Sequence, residues 1–137
     1  MTYSTLTNIR NTEIQNIYKR ILKSAVNINS LNNDAIVSIV LEQPAPRFYI
    51  SPGQAETLIS NYYNMGCTFP DNKRTIKQEM TVDLVANYER LRNRFPHTPK
   101  DRIYEMVVEQ PAKSFYITHR NMRDIIFNYN IYGRRKK

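Results

Sequence analysis

Along the first half of the chain the apolar positions change their period twice, from helical to alternating and back. Ile14, Ile17, Tyr18, Ile21, Leu22 and Ala25 recur every three or four residues, which lines one face of an α-helix. Ile36, Ile39 and Val40 then predict a second helix, with Asn33 or Asp34 as its cap and Pro44 as its stop. Phe48-Tyr49-Ile50 is β-prone and alternating, so Phe48 and Ile50 are expected on one side and Tyr49 on the other. Ser51-Pro52-Gly53-Gln54 opens a third helix, with serine at the cap, proline at the first helical position and glutamine three beyond the cap. Ala55, Leu58, Ile59 and Tyr62 form its apolar stripe.

The second half follows the same plan. A long helix is expected from about Asn72 to Phe95, with Ile76, Met80, Leu84, Tyr88 and Leu91 inward. Thr98-Pro99-Lys100-Asp101 has the cap-proline-acid form of a helix start, and Ile103, Met106 and Val107 are core candidates before Pro111. Thr118 is placed to cap the last helix, which turns Met122, Ile125, Ile126 and Tyr129 inward before a C-terminal cap at Gly133.

The likeness is literal. VLEQPAPRFYIS at 40–51 returns as VVEQPAKSFYIT at 107–118, and 34–63 laid on 101–130 gives thirteen identities in thirty positions. Upstream, Tyr18-Lys19-Arg20-Ile21 lies against Tyr88-Glu89-Arg90-Leu91 after a three-residue shift. An internal duplication follows. The expected fold is mainly α, with two tandem three-helix modules, helix-turn-helix-like, each carrying a short extended FYI segment before its last helix. Residues 1–66 form the first module, and residues 67–137 the second with its basic C-terminal tail. Glu42 and Glu109 sit near helix C-termini, where a carboxylate opposes the macrodipole by about 0.3–1 kcal/mol. Their presence in both copies predicts a local partner for each.

Charge changes the picture more than composition does. Of the net +8, residues 1–67 carry +1 (five Lys/Arg against four Asp/Glu) and residues 68–137 carry +7 (fifteen against eight). The chain closes on Arg134-Arg135-Lys136-Lys137. A basic half with a basic tail points to a polyanionic partner. On the last helix, His119, Arg120, Asn121, Arg123 and Asn128 supply groups that read base edges or touch phosphate. They make the second module and tail a candidate nucleic-acid surface. The eight residues from Pro44 to Ser51 are longer than the tight turn of a standard helix-turn-helix. The first copy's third helix, with Pro52, Gly53, Gln54, Glu56, Thr57 and Ser60, is not basic, so at most one copy binds in this way.

A protein interface is the competing reading. Phe127 and Ile131 lie four apart and off the main stripe of the last helix, and Tyr49 and Tyr116 point away from their neighbours in the FYI segments. Two short FYI strands could pair across a pseudo-twofold or accept a partner strand, but the expectation is that both are covered within the chain, because edges are normally protected.

Catalytic and cofactor readings find little. Gly53, Gly66 and Gly133 are isolated, which excludes a phosphate-cradling glycine loop. The single Cys67 has no sequence-adjacent base, and His97 and His119 form no metal-ligand spacing. We expect no enzyme, no metal, no cofactor and no small-molecule substrate. One cysteine permits no internal disulfide, the start MTYSTLTNIR lacks a signal-peptide pattern, and no apolar run reaches membrane-spanning length. The expected setting is therefore intracellular, not secreted and not membrane-bound.

QPAPRFYIS, with YERLRNRFP upstream of the second copy and a capped helix downstream, resembles small basic proteins encoded by phages of gut bacteria, crAss-like phages included. The resemblance covers one module, present here twice, and carries over no functional residue. The first copy lacks a long basic first helix, and Lys113-Ser114 stands where the first copy has Pro46-Arg47. The resemblance implies a phage setting, in the host cytoplasm or the virion. The chain is then either an accessory nucleic-acid binder or a virion or assembly component docking on other phage proteins, possible oligomers included.

Overall fold

The computed structural model describes residues 3–24, 32–66 and 74–127. These form six α-helices: α1 (Tyr3–Ser24), α2 (Asn33–Leu41), α3 (Pro52–Asn64), α4 (Ile76–Arg94), α5 (Lys100–Val108) and α6 (His119–Phe127). Helix ends follow local chemistry. Ser51 accepts from the Gln54 amide while the Gln54 side chain accepts from the Ser51 amide, a full capping box behind Pro52. Thr75 and Gln78 make the same box on α4, which therefore starts four residues later than expected and leaves Ile76 exposed. Asn32, not Asn33 or Asp34, caps α2 by accepting from the Ala35 amide at 2.8 Å. The N-cap of α5 is Pro99, with no side-chain cap bond, so Thr98 does not serve there.

The C-terminal ends of α2 and α5 explain the repeated Glu-Gln-Pro. Gln43 Nε2 donates to the Ile39 carbonyl and Gln110 Nε2 to the Met106 carbonyl, both at 3.2 Å, so glutamine satisfies a terminal carbonyl in each copy. Glu42 and Glu109 are exposed, and among the described residues no hydrogen bond or ion pair reaches either carboxylate. The partner expected for them is absent there; exposure to water screens the unfavourable dipole instead.

After each proline the chain runs irregularly. Neither FYI segment forms a strand among the described residues; the β-bridge is three residues upstream, where Ala45 and Ala112 pair antiparallel. Each alanine amide donates to the other's carbonyl, at 3.0 and 2.9 Å. Around this bridge the rings exchange partners. Phe48 stacks on Tyr116 at 6.3 Å and Tyr49 on Phe115 at 6.0 Å. Since Phe48 aligns with Phe115 and Tyr49 with Tyr116, these two contacts are one contact seen from each copy.

The helices obey the same reciprocity. α6 packs on α2 and α1, while α3 packs on α5 and α4. The last helix of each copy is thus seated on the other copy. α3 and α4 run in the same sense: Gly53 and Leu58 share a cleft with Lys77 and Met80, and further along both helices the Tyr63 hydroxyl donates to Glu89 at 2.5 Å. One hydrophobic core takes residues from both copies, including Ile14, Val37, Val40, Phe48 and Ile59 with Leu84, Ile103, Val107, Met122 and Ile125.

Candidate nucleic-acid interface

α6 begins at His119 because Thr118 accepts from the Asn121 amide at 3.0 Å. Its apolar stripe, Met122, Ile125 and Ile126, is buried in the shared core. Gln15 of α1 donates its amide to the Ile125 carbonyl and, at 3.3 Å, to the Ile126 carbonyl. These contacts hold the helix so that His119, Arg120, Asn121 and Arg123 are all exposed on its opposite side. Four of the residues expected to meet nucleic acid are thus brought onto one and a half turns. Asn128 and the tail residues Arg134, Arg135, Lys136 and Lys137 lie outside the described residues, as do Tyr129, Ile131 and Gly133.

The duplication supplies an internal comparison. At equivalent positions α3 carries Pro52, Gly53, Gln54 and Glu56 where α6 carries His119, Arg120, Asn121 and Arg123. The buried positions stay apolar in both copies: Ala55 for Met122 and Ile59 for Ile126. Packing therefore demands the stripe but not the basic side chains. Divergence has collected on the exposed face, turning a neutral or acidic surface in one copy into a basic one in the other.

The residues expected at a protein interface are placed differently. Phe127 is half-buried, edge-on to Tyr18 at 5.6 Å, and packs against the core. Tyr49 and Tyr116 are half-buried in the ring stacks at the crossing. Burial raises the Tyr49 hydroxyl above its usual range, with Glu13 adding to the rise and Arg47 and Arg10 opposing it. Arg47 lies over the Tyr49 ring, 5.9 Å from its centre. All three expected interface aromatics already have partners within the chain.

Sequence periodicity passed over the polar centre of the molecule. Asp83 is only 6% exposed. One carboxylate oxygen accepts from the Lys113 amide at 2.9 Å and the Tyr116 hydroxyl at 2.6 Å; the other accepts from Asn87 at 3.2 Å. Asn87 in turn accepts from Arg90, which also reaches Gln110 at 3.3 Å. Tyr116 is the one non-glycine residue with positive φ (58°) among those described. Burial, then the bond to Asp83, raises its hydroxyl far above the usual range. A signal was present in the sequence: Asp83 and Asn87 interrupt the inward stripe of Met80, Leu84, Tyr88 and Leu91, and Asp83 aligns with Glu13 when Tyr88 is laid on Tyr18.

No family model, curated protein or solved structure matches the chain. Among the described residues no group of three His, Cys, Asp or Glu side chains could hold a metal ion. No described helix is long and apolar enough to cross a membrane.

Proposed function

We propose that this chain is a non-enzymatic, phage-type binding protein. In this reading it contacts nucleic acid through the exposed face of α6, and the basic tail adds phosphate contacts. The observation that carries the reading is the contrast between the copies: His119, Arg120, Asn121 and Arg123 stand exposed where the equivalent α3 positions hold proline, glycine, glutamine and glutamate. A helix N-terminus with its free amides and positive dipole end suits a phosphate, and Arg with Asn suits base edges. Tight sequence discrimination is not part of the proposal, since one short helix offers few base contacts.

The test is duplex DNA affinity by fluorescence anisotropy between about 50 and 200 mM salt. Each phosphate contact removed should flatten the plot of log affinity against log salt by about 0.9. Arg120→Ala with Arg123→Ala, and separately removal of residues 134–137, should each do so, while Glu56→Ala should not weaken binding. Equal affinity and slope for all of these chains would sink the proposal. The runner-up, a virion or assembly component docking on other phage proteins, has fewer residues to stand on because Tyr49, Tyr116 and Phe127 are engaged internally. A fixed symmetric copy number in purified particles, with no DNA binding, would favour it.

A further inference from the structure

The duplicated halves hold each other through contacts that do not specify which chain supplies which half. α1 with α2, and α4 with α5, form the two bodies; α3 and α6 are arms, each seated on the opposite body. The bridge between Ala45 and Ala112, both ring stacks and the bond from the Phe48 amide to the Val108 carbonyl (2.9 Å) all run between halves. One covalent link joins them, the chain between Gly66 and Arg74. We propose that a second copy of this chain can take the place of either half, giving a reciprocally exchanged dimer, and that the 67–73 connection alone favours the monomer.

Two geometric facts make the connection the deciding part. α3 and α4 run in the same sense, so the end of α3 and the start of α4 lie roughly one helix length apart, about 20 Å for thirteen residues. Seven residues between Gly66 and Arg74 reach about 27 Å when extended, which closes the monomer with little to spare. A short tether gives the second half an effective concentration on the order of mM. Exchange therefore competes only near that concentration, or wherever copies are held together.

The exchanged dimer is marked by a bond that the monomer cannot make between chains. Ala45 and Ala112 face each other and are both buried, so cysteines placed there on different chains meet only after exchange. One chain would carry Cys67→Ser with Ala45→Cys, the other Cys67→Ser with Ala112→Cys. Mixed, unfolded together and refolded at about 1 mM, they should give an interchain disulfide; refolded at about a thousandth of that concentration, they should give almost none. A second chain lacking residues 68–72, whose remaining connection reaches only about 10 Å, should have dimer mass by light scattering at micromolar concentration and cross-link in the same mixture. No interchain product from the full-length mixture at high concentration overturns the proposal, even if the shortened chain does not fold. So does a shortened chain that folds as a monomer, or one that dimerises without the disulfide.

Discussion

At the scale of single residues, the acids at aligned positions 13 and 83 do different work in the two copies. Tyr116 adopts a left-handed backbone, which costs a non-glycine residue on the order of 1–2 kcal/mol. Asp83 offsets that cost by accepting from both its hydroxyl and the Lys113 amide, and bonds to a charged acceptor are worth about 1.5–3 kcal/mol. Glu13, at the aligned position, makes an ion pair with Arg20 at 3.5 Å that is largely open to water, the kind worth about 0–1 kcal/mol. Asp83→Ala should therefore lower stability by about 3 kcal/mol, because it strands two donors, and Glu13→Ala by less than about 1. Urea unfolding of both variants decides this; equal losses would mean that Asp83 does not hold the crossing. Tyr116→Phe should cost about 2 kcal/mol and be non-additive with Asp83→Ala, since both remove the same bond.

At the scale of elements, most boundaries were legible because they depend on neighbours in sequence. The capping box at Ser51, the stops at Pro44 and Pro111 and the cap at Thr118 all stand where residue chemistry put them. The misses have local causes too. Thr98 precedes a proline and lies one position too early, so the helix begins behind Pro99 without a side-chain cap. Thr75 outcompetes earlier starts for α4 because Gln78 completes its box. Ser51→Ala should thus cost about 1 kcal/mol, whereas Thr98→Ala should stay within about 0.5 kcal/mol of the parent. Thermal unfolding followed by circular dichroism separates the two. Comparable losses would show that Thr98 has a capping role after all.

At the scale of the whole molecule, the exchange of α3 and α6 makes the two halves interdependent. Each arm leaves its own body and completes the other, so neither body retains a covered core once its partner has opened. Phe48→Ala and Phe115→Ala, one in each copy, should both lower the midpoint of the same single transition, each by the equivalent of about 3–5 kcal/mol. Tyrosine fluorescence and far-ultraviolet dichroism should trace coincident curves. Two separated transitions, with each substitution moving only one, would contradict a shared core. On this scale the candidate surface also gains its meaning, because α6 presents Arg120 and Arg123 from a helix pinned by α2 and by Gln15 of α1.

The duplication, the helical stripes, the helix stops and the basic bias of the second half could all be read from the chain, because each depends on residues within a turn or on plain identity. The candidate face was legible for the same reason: His119, Arg120, Asn121 and Arg123 lie off the Met122, Ile125 and Ile126 stripe and so face outward when that stripe packs. What only the tertiary structure decided is which body receives each arm, where the extended crossings meet, and why Asp83 and Asn87 are buried. The physical cause is degeneracy. α3 and α6 carry apolar stripes at equivalent positions, and α2 and α5 are themselves duplicated, so the pattern along the chain does not say whether an arm seats on its own copy or the other. Closure of the chain through Ala45 and Ala112, and the stacking of four rings across that bridge, make the choice.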